Sequence, residues 1–188
     1  QEPQGLRLSA SNNTYTPSTD VTSAGTLYWT PVLSGGNGTV TCYNGSALER
    51  QSITQKSLSL TATSGSNYNV YYDCDGAALS LGSAWTNDTT PSETLADQNG
   101  ALVLSTDATK LYLGVIRASG SNVTEDSAAK RFVWNQYNRK DRPWRRRETT
   151  ASWTYNTNTV RQANGSTSNQ IEAVFGEEQA VLVTLNHR

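Results

Sequence analysis

The chain of 188 residues has no Met, one His, two Cys and two Phe, and these shortages exclude several kinds of site. His187, close to the last residue, is the only imidazole that could act as the base of a nucleophilic triad. Two Cys and one His are too few to build a zinc centre. The sequence also has no phosphate-binding loop, dinucleotide fingerprint or Gly-x-Ser-x-Gly motif. We therefore predict a protein that is not an enzyme and that has no cofactor or metal.

Long apolar runs are missing too, and no stretch reaches the roughly 20 residues that a transmembrane helix needs. We accordingly predict no membrane span and no membrane partner. Because Met is absent and Gln1 stands first, we expect a processed or partial sequence. The strand-like run AVLVTLNHR has no obvious stop, so we expect residues to be missing at both ends. Charged residues make up only 16% of the chain, against about 25% in typical domains.

Ser, Thr and Asn take the place of the missing residues, with 21, 25 and 16 copies. These residues favour strands and turns over helix interiors. Five Trp and nine Tyr, set among alternating apolar residues, argue against a disordered chain. Turn signals such as Asn44-Gly45 and Asp75-Gly76 recur about every 8–12 residues, which is typical of sandwiches and barrels. The predicted fold class is all-β, as an antiparallel sandwich or a jelly-roll-like arrangement, with one amphipathic helix.

The pattern divides the chain into three segments. Residues 1–82 form an N-terminal β-rich unit, and residues 83–100 form a polar connector. Residues 101–188 contain a β-hairpin, the helix, a basic segment and C-terminal strands that end abruptly. The hairpin is predicted from apolar alternation at 101–105 and 110–118.

The helix is predicted near 124–138. Thr124 has the hydroxyl of an N-cap, and Glu125 and Asp126 complement the positive end of the helix dipole. Pro143 prevents the helix from continuing. Apolar side chains at helical spacing define its predicted core face: Ala128, Ala129, Phe132, Val133 and Tyr137.

A basic segment begins in this helix and runs to Arg147. It holds eight of the 15 Lys and Arg, opposed between positions 130 and 147 only by Asp141, while the net charge of the whole chain is -1. Charge concentrated in this way favours contact with an acidic partner or a neighbouring subunit over a merely solvated face. The predicted interface residues are Arg139, Lys140, Arg142, Trp144, Arg145, Arg146 and Arg147.

Candidate acids for that contact are Glu172, Glu177 and Glu178, either in the same chain or in an adjacent subunit. Nucleic acid is a less favoured partner, because a pI near 5.8 implies acidic faces that repel a phosphate backbone. Host-surface glycan is an alternative partner, since exposed aromatic residues on a strand such as Tyr68 and Tyr72 can form a sugar-binding platform. Core or subunit packing is the favoured role of these two tyrosines.

Cys42 and Cys74 either form one disulfide or remain two buried thiols on strands. Because the sequence shows no other sign of an oxidising compartment, two thiols are the favoured state.

Two long motifs resemble a known family. The segments EDSAAKRFVWNQYNR (125–139) and WTYNTNTVRQANGS (153–166) resemble tailed-bacteriophage structural proteins, and the resemblance extends over roughly 20–185. These proteins are virion surface components, such as head decoration, fibre or tail-associated proteins. The family has no catalytic motif that could be carried over to this chain.

The resemblance implies a structural role on the phage particle. We expect a symmetric homo-oligomer, with a trimer as the preferred state, in contact with other virion proteins. The alternative is a receptor-binding module of a tail fibre that recognises carbohydrate.

Overall fold

The structure is a computed structural model that describes residues 3–177, and these residues confirm the predicted all-β class. The fifteen strands in chain order are β1 (Leu6–Ser9), β2 (Val21–Ala24), β3 (Thr26–Pro31), β4 (Gly38–Tyr43), β5 (Leu48–Ile53), β6 (Lys56–Ser59), β7 (Asn67–Asp73), β8 (Ala78–Ala84), β9 (Leu95–Gln98), β10 (Ala101–Leu104), β11 (Asp107–Gly120), β12 (Val123–Asp126), β13 (Lys130–Arg131), β14 (Val133–Asn135) and β15 (Glu172–Ala173). A 3-10 turn spans Ala163–Gly165.

The 14-residue strand β11 organises the largest sheet. It pairs along much of its length with β7, and on its other side with β10 and then with β14. The register with β7 shifts between Tyr112 and Gly114. A Cβ at Gly114 would lie 2.1 Å from the Trp134 carbonyl oxygen, so only glycine permits this close approach of β14.

Alternating side chains of β7 and β11 fill a core on each face of this sheet. On one face Val70, Tyr72 and Ile116 pack with the three-stranded sheet β1-β3-β6 and the β4–β5 hairpin. On the other face Tyr71 and Tyr112 pack with a smaller apolar cluster. This layered, largely antiparallel arrangement is compatible with a β-sandwich.

Asn135 links β14 to the smaller sheet. Its side-chain oxygen accepts a hydrogen bond from the Leu8 amide at 2.6 Å, and its Nδ2 donates to the Leu8 carbonyl oxygen at 3.2 Å. This buried amide side chain thus reproduces the two hydrogen bonds that a neighbouring strand would make.

Strands from the predicted N-terminal unit 1–82 and from the predicted segment 101–188 share the large sheet. In it β7 lies beside β11, and β2 pairs with β12. The segment predicted as a connector, residues 83–100, contributes β9, which pairs with β10. The last of the predicted C-terminal strands, together with Glu178 and His187, lies outside the described residues.

The predicted helix near 124–138 is wrong. This stretch forms β12, a turn closed by the Ser127 and Lys130 backbones, and then β13 and β14. The Thr124 hydroxyl donates to the Arg117 carbonyl oxygen at 2.7 Å, across to β11, instead of capping a helix. Pairing of β14 with the buried strand β11 overrides the local helical pattern, as long-range strand pairing often does.

The predicted core face of that helix is therefore divided among strands and a turn. Phe132, Val133 and Tyr137 are buried, while Ala128 and Ala129 are half-buried in the turn between β12 and β13. The apolar residues were correctly assigned to the interior in three of five cases, although through a different secondary structure.

The favoured prediction of free thiols is also corrected. Cys42 on β4 and Cys74, directly after β7, form a disulfide with their Cα atoms 6.1 Å apart. Both residues are buried, so the bridge ties the β4–β5 hairpin to the central sheet inside the core.

Tyr68 and Tyr72 are buried, and Tyr72 packs 4.9 Å from the Trp29 ring. Packing, the favoured role of these tyrosines, is confirmed. Within residues 3–177 no helix is long and apolar enough to cross a membrane.

Candidate functional site

The basic segment separates into anchored and free cations. The anchored group surrounds Asp126, whose side chain is only 5% exposed. Arg131 Nη1 lies 3.0 Å from Asp126 Oδ1, and Arg142 Nη1 lies 2.9 Å from Asp126 Oδ2. Because each carboxylate oxygen pairs with one arginine, the single negative charge of Asp126 is shared by two cations that are themselves largely buried.

The same two arginines bind backbone oxygens on distant parts of the chain. Arg131 Nη2 donates to the Pro143 carbonyl oxygen at 2.8 Å, and Arg142 Nη2 donates to that of Pro17 at 3.2 Å. These bonds fix the segment after β14 onto β12 and the N-terminal region.

A third buried cation, Arg7 on β1, lies near this cluster. Its Nη1 donates to the Asn138 carbonyl oxygen at 3.1 Å. Burial lowers the pKa of Arg7, the nearby Arg142 lowers it further, and Asp126 acts in the opposite direction. Asp126 therefore stabilises the charge of Arg7 as well as those of Arg131 and Arg142.

Two backbone contacts define where the chain leaves the sandwich and where it returns. The Arg145 amide donates to the Ala128 carbonyl oxygen at 2.8 Å, and the Glu172 amide donates to that of Ala129 at 2.9 Å. Residues 146–171 therefore leave and return at one turn, and we call them the projecting loop. Next to this point the Trp144 ring contacts the Phe175 ring, with centroids 6.2 Å apart.

The free cations lie where the chain enters the projecting loop. Arg145, Arg146 and Arg147 are exposed, and none of them forms an ion pair with another residue of the described range 3–177. We call these three residues the arginine run. Arg139, by contrast, lies over the Trp134 ring at 5.1 Å.

The projecting loop exposes large apolar side chains. Every residue from 149 to 161 is exposed, and Trp153, Tyr155 and Val160 are 42%, 44% and 95% exposed. The Trp153 and Tyr155 rings contact each other edge to face at 6.4 Å, and Arg161 lies 5.0 Å from the Tyr155 ring. Exposed apolar groups concentrated in this way are typical of interaction surfaces.

The base of the projecting loop has its own polar contacts. The side chain and the amide of Thr150, with help from Asn169, lower the pKa of the Glu148 carboxyl to about 2. Asn169 also donates to the Ala163 carbonyl oxygen at 2.9 Å. These bonds connect the outgoing and returning parts of the loop.

An open groove of about 680 Å³ lies beside the anchor of the loop. Within it, Arg117 Nη1 forms an ion pair with Asp88 Oδ1 at 2.7 Å. The same nitrogen donates a hydrogen bond to the Asn67 side-chain oxygen at 2.9 Å. The charged and aromatic side chains that line the groove include Trp85, Asp88, Arg117, Glu172, Phe175 and Glu177.

The structure thus brings some of the predicted residues together and separates others. Arg142 and Trp144 serve as anchors, whereas Lys140 and the arginine run face solvent. Of the predicted acids, Glu172 and Glu177 both line the groove. Sequence reasoning missed Arg117, although a lone cation within the apolar run of β11 is a usable signal.

No protein family, no curated protein and no solved structure matches this chain.

Proposed function

We propose that this chain is a non-enzymatic structural protein of a tailed-phage virion that assembles as a symmetric oligomer. The observation that carries the proposal is the projecting loop. Whereas the central sheet buries aromatic side chains such as Tyr71 and Tyr112, this loop exposes Trp153, Tyr155 and Val160. Such side chains are protected from water when copies of the protein cover each other.

The loop also contains one of the two motifs that resemble tailed-phage structural proteins, WTYNTNTVRQANGS at 153–166. The other motif, at 125–139, contains Asp126 and Arg131, which anchor the base of the loop. The likeness to virion proteins therefore coincides with the two parts of the chain that build and present the exposed surface. A head-decoration, fibre or tail-associated position is consistent with this arrangement, and a trimer is the preferred state.

The basic segment supports contact with acidic surfaces on neighbouring copies or on other virion proteins. A carbohydrate-binding role built on Tyr68 and Tyr72 has lost its support, because both side chains are buried.

Purified particles of the phage that encodes the chain test the virion proposal. Mass spectrometry of washed particles should detect peptides of this protein at a constant ratio to the major capsid protein. Cryo-electron microscopy should show repeated density that fits the β-sandwich at one kind of position. Absence of the protein from infectious particles would contradict a virion role.

A further inference from the structure

The groove contains acids without ionic partners. Asp88 is paired with Arg117, but neither Glu172 nor Glu177 forms an ion pair with another described residue. With three carboxylates and one guanidinium named among its walls, the groove has a net charge of about -2. A cationic occupant is therefore favoured over an anionic one.

The apolar walls are suited to arginine in particular. Trp85 is only half-buried, and Phe175, whose ring contacts the Trp144 ring, is 37% exposed. A guanidinium group can stack on such rings while it donates hydrogen bonds to a carboxylate, which a compact ammonium group does less well.

The arginine run matches these features, and we propose that the groove receives Arg145–Arg147 of a second copy of this chain. This inference rests on the proposed oligomer and identifies the surface that each copy offers. Within one chain the Arg145 amide is held by the Ala128 carbonyl oxygen, and the run makes no ion pair with the groove carboxylates. Both surfaces are therefore free to bind other copies.

The contact joins two different surfaces, so it is heterologous. Each copy has one arginine run and one groove, and repetition of the contact closes a ring when the rotation between copies divides a full turn, whereas any other rotation gives an open filament. The preferred trimer is one such ring. The exposed apolar side chains of the projecting loop, which begin with Trp153 six residues after Arg147, then lie close to the neighbouring copy.

Charge reversal on each side tests the contact. The first variant combines Arg145→Glu, Arg146→Glu and Arg147→Glu, and the second combines Glu172→Arg and Glu177→Arg. Light scattering at tens of micromolar protein should show that each variant loses the oligomer. Self-association should weaken by at least about tenfold, because several coupled charges now repel. The chain that carries all five substitutions should recover the oligomer.

A matched control reverses charge away from the groove. Glu49→Arg and Arg50→Glu lie on the exposed part of β5 and should leave the mass unchanged. Circular dichroism and thermal unfolding should confirm that all variants remain folded. As a second measurement, a fluorescent peptide with the sequence of residues 142–149, RPWRRRET, should bind the variant with a reversed arginine run, whose groove is vacant. It should not bind the variant with a reversed groove.

The outcomes separate this inference from the proposed function. If the wild-type chain is oligomeric but the charge-reversed variants keep its mass, the contact lies elsewhere and only the inference fails. Loss of the oligomer without recovery in the five-substitution chain, together with no peptide binding, also overturns it. A wild-type chain that is monomeric and absent from particles overturns the proposed function as well.

Discussion

Asp126 and Arg142 form an ion pair at 2.9 Å although they are 16 residues apart, and their side chains are only 5% and 13% exposed. Arg131 occupies the other oxygen of the same carboxylate at 3.0 Å. Part of the basic segment is therefore internal structure, which leaves the arginine run, together with Lys140, exposed to a partner.

Replacement of Asp126 with Ala should lower the free energy of unfolding by about 3–5 kcal/mol, because two largely buried arginines lose their counter-ion. Urea unfolding measures this loss. Asp88→Ala is the matched control: its side chain is 73% exposed, and removal of its pair with Arg117 should cost less than about 1 kcal/mol. Equal effects of the two substitutions would contradict the anchoring role of Asp126.

Replacement of Phe132 with Ala should lower the free energy of unfolding by about 3–5 kcal/mol, as for other buried aromatic side chains. Phe132 is 2% exposed, and Lys130 and Arg117 lie 5.7 and 6.0 Å from its ring centre. Chemical denaturation is the measurement. A loss below about 1 kcal/mol would show that the ring is not packed in the interior.

The disulfide should contribute about 2–4 kcal/mol to stability, mainly by restricting the unfolded chain between two residues that are 32 apart. Treatment with a reductant, or replacement of both Cys42 and Cys74 by Ser, should lower the midpoint of urea unfolding accordingly. Free thiols detected in the unreduced, denatured protein would contradict the bridge.

Stability should fall as the pH rises from about 10 to 12. Burial, with smaller contributions from Asp73 and Glu49, raises the pKa of Tyr72 to about 12. Burial also raises the pKa of Tyr71 and Tyr112. In the unfolded chain a tyrosine hydroxyl releases its proton near about pH 10, whereas folded Tyr72 does so only at about pH 12. The contribution of the protonated hydroxyl to stability is therefore complete below about pH 10. It is lost as the pH rises from about 10 to 12.

Unfolding curves measured across this pH range test the prediction, with tyrosinate absorbance as a second observable. Tyr72→Phe should reduce the pH dependence. Titration of all nine tyrosines together near pH 10, without loss of structure, would show that the buried hydroxyls are accessible.

The strands could be predicted where alternation is regular and both flanks are turns. The hairpin predicted at 101–105 and 110–118 corresponds to β10 and β11. The stretch 124–138 was misassigned because apolar residues spaced for a helix also fit a series of short strands, here β12, β13 and β14. What decides between them is the pairing of β14 with β11, a long-range contact that leaves no local signal.

For the same reason, only part of the candidate site could be predicted from the sequence. The excess of positive charge and the acids Glu172 and Glu177 could be recognised in the sequence. The division into anchored and free arginines could not, because it depends on Asp126 meeting Arg142 across folded strands. Cys42 and Cys74 likewise become a bridge only when β4 is placed beside the end of β7.

The arginine run as an assembly contact is the central claim, and the mass of the protein in solution tests it most directly. Light scattering of the wild-type chain at tens of micromolar should give close to three times 20.4 kDa. Replacement of Arg145, Arg146 and Arg147 together by Ser should leave the fold intact and reduce the mass towards that of a monomer. High salt should do the same to the wild type, since screening weakens the same interaction. A triple variant that keeps the wild-type mass, with no effect of salt, would contradict the account.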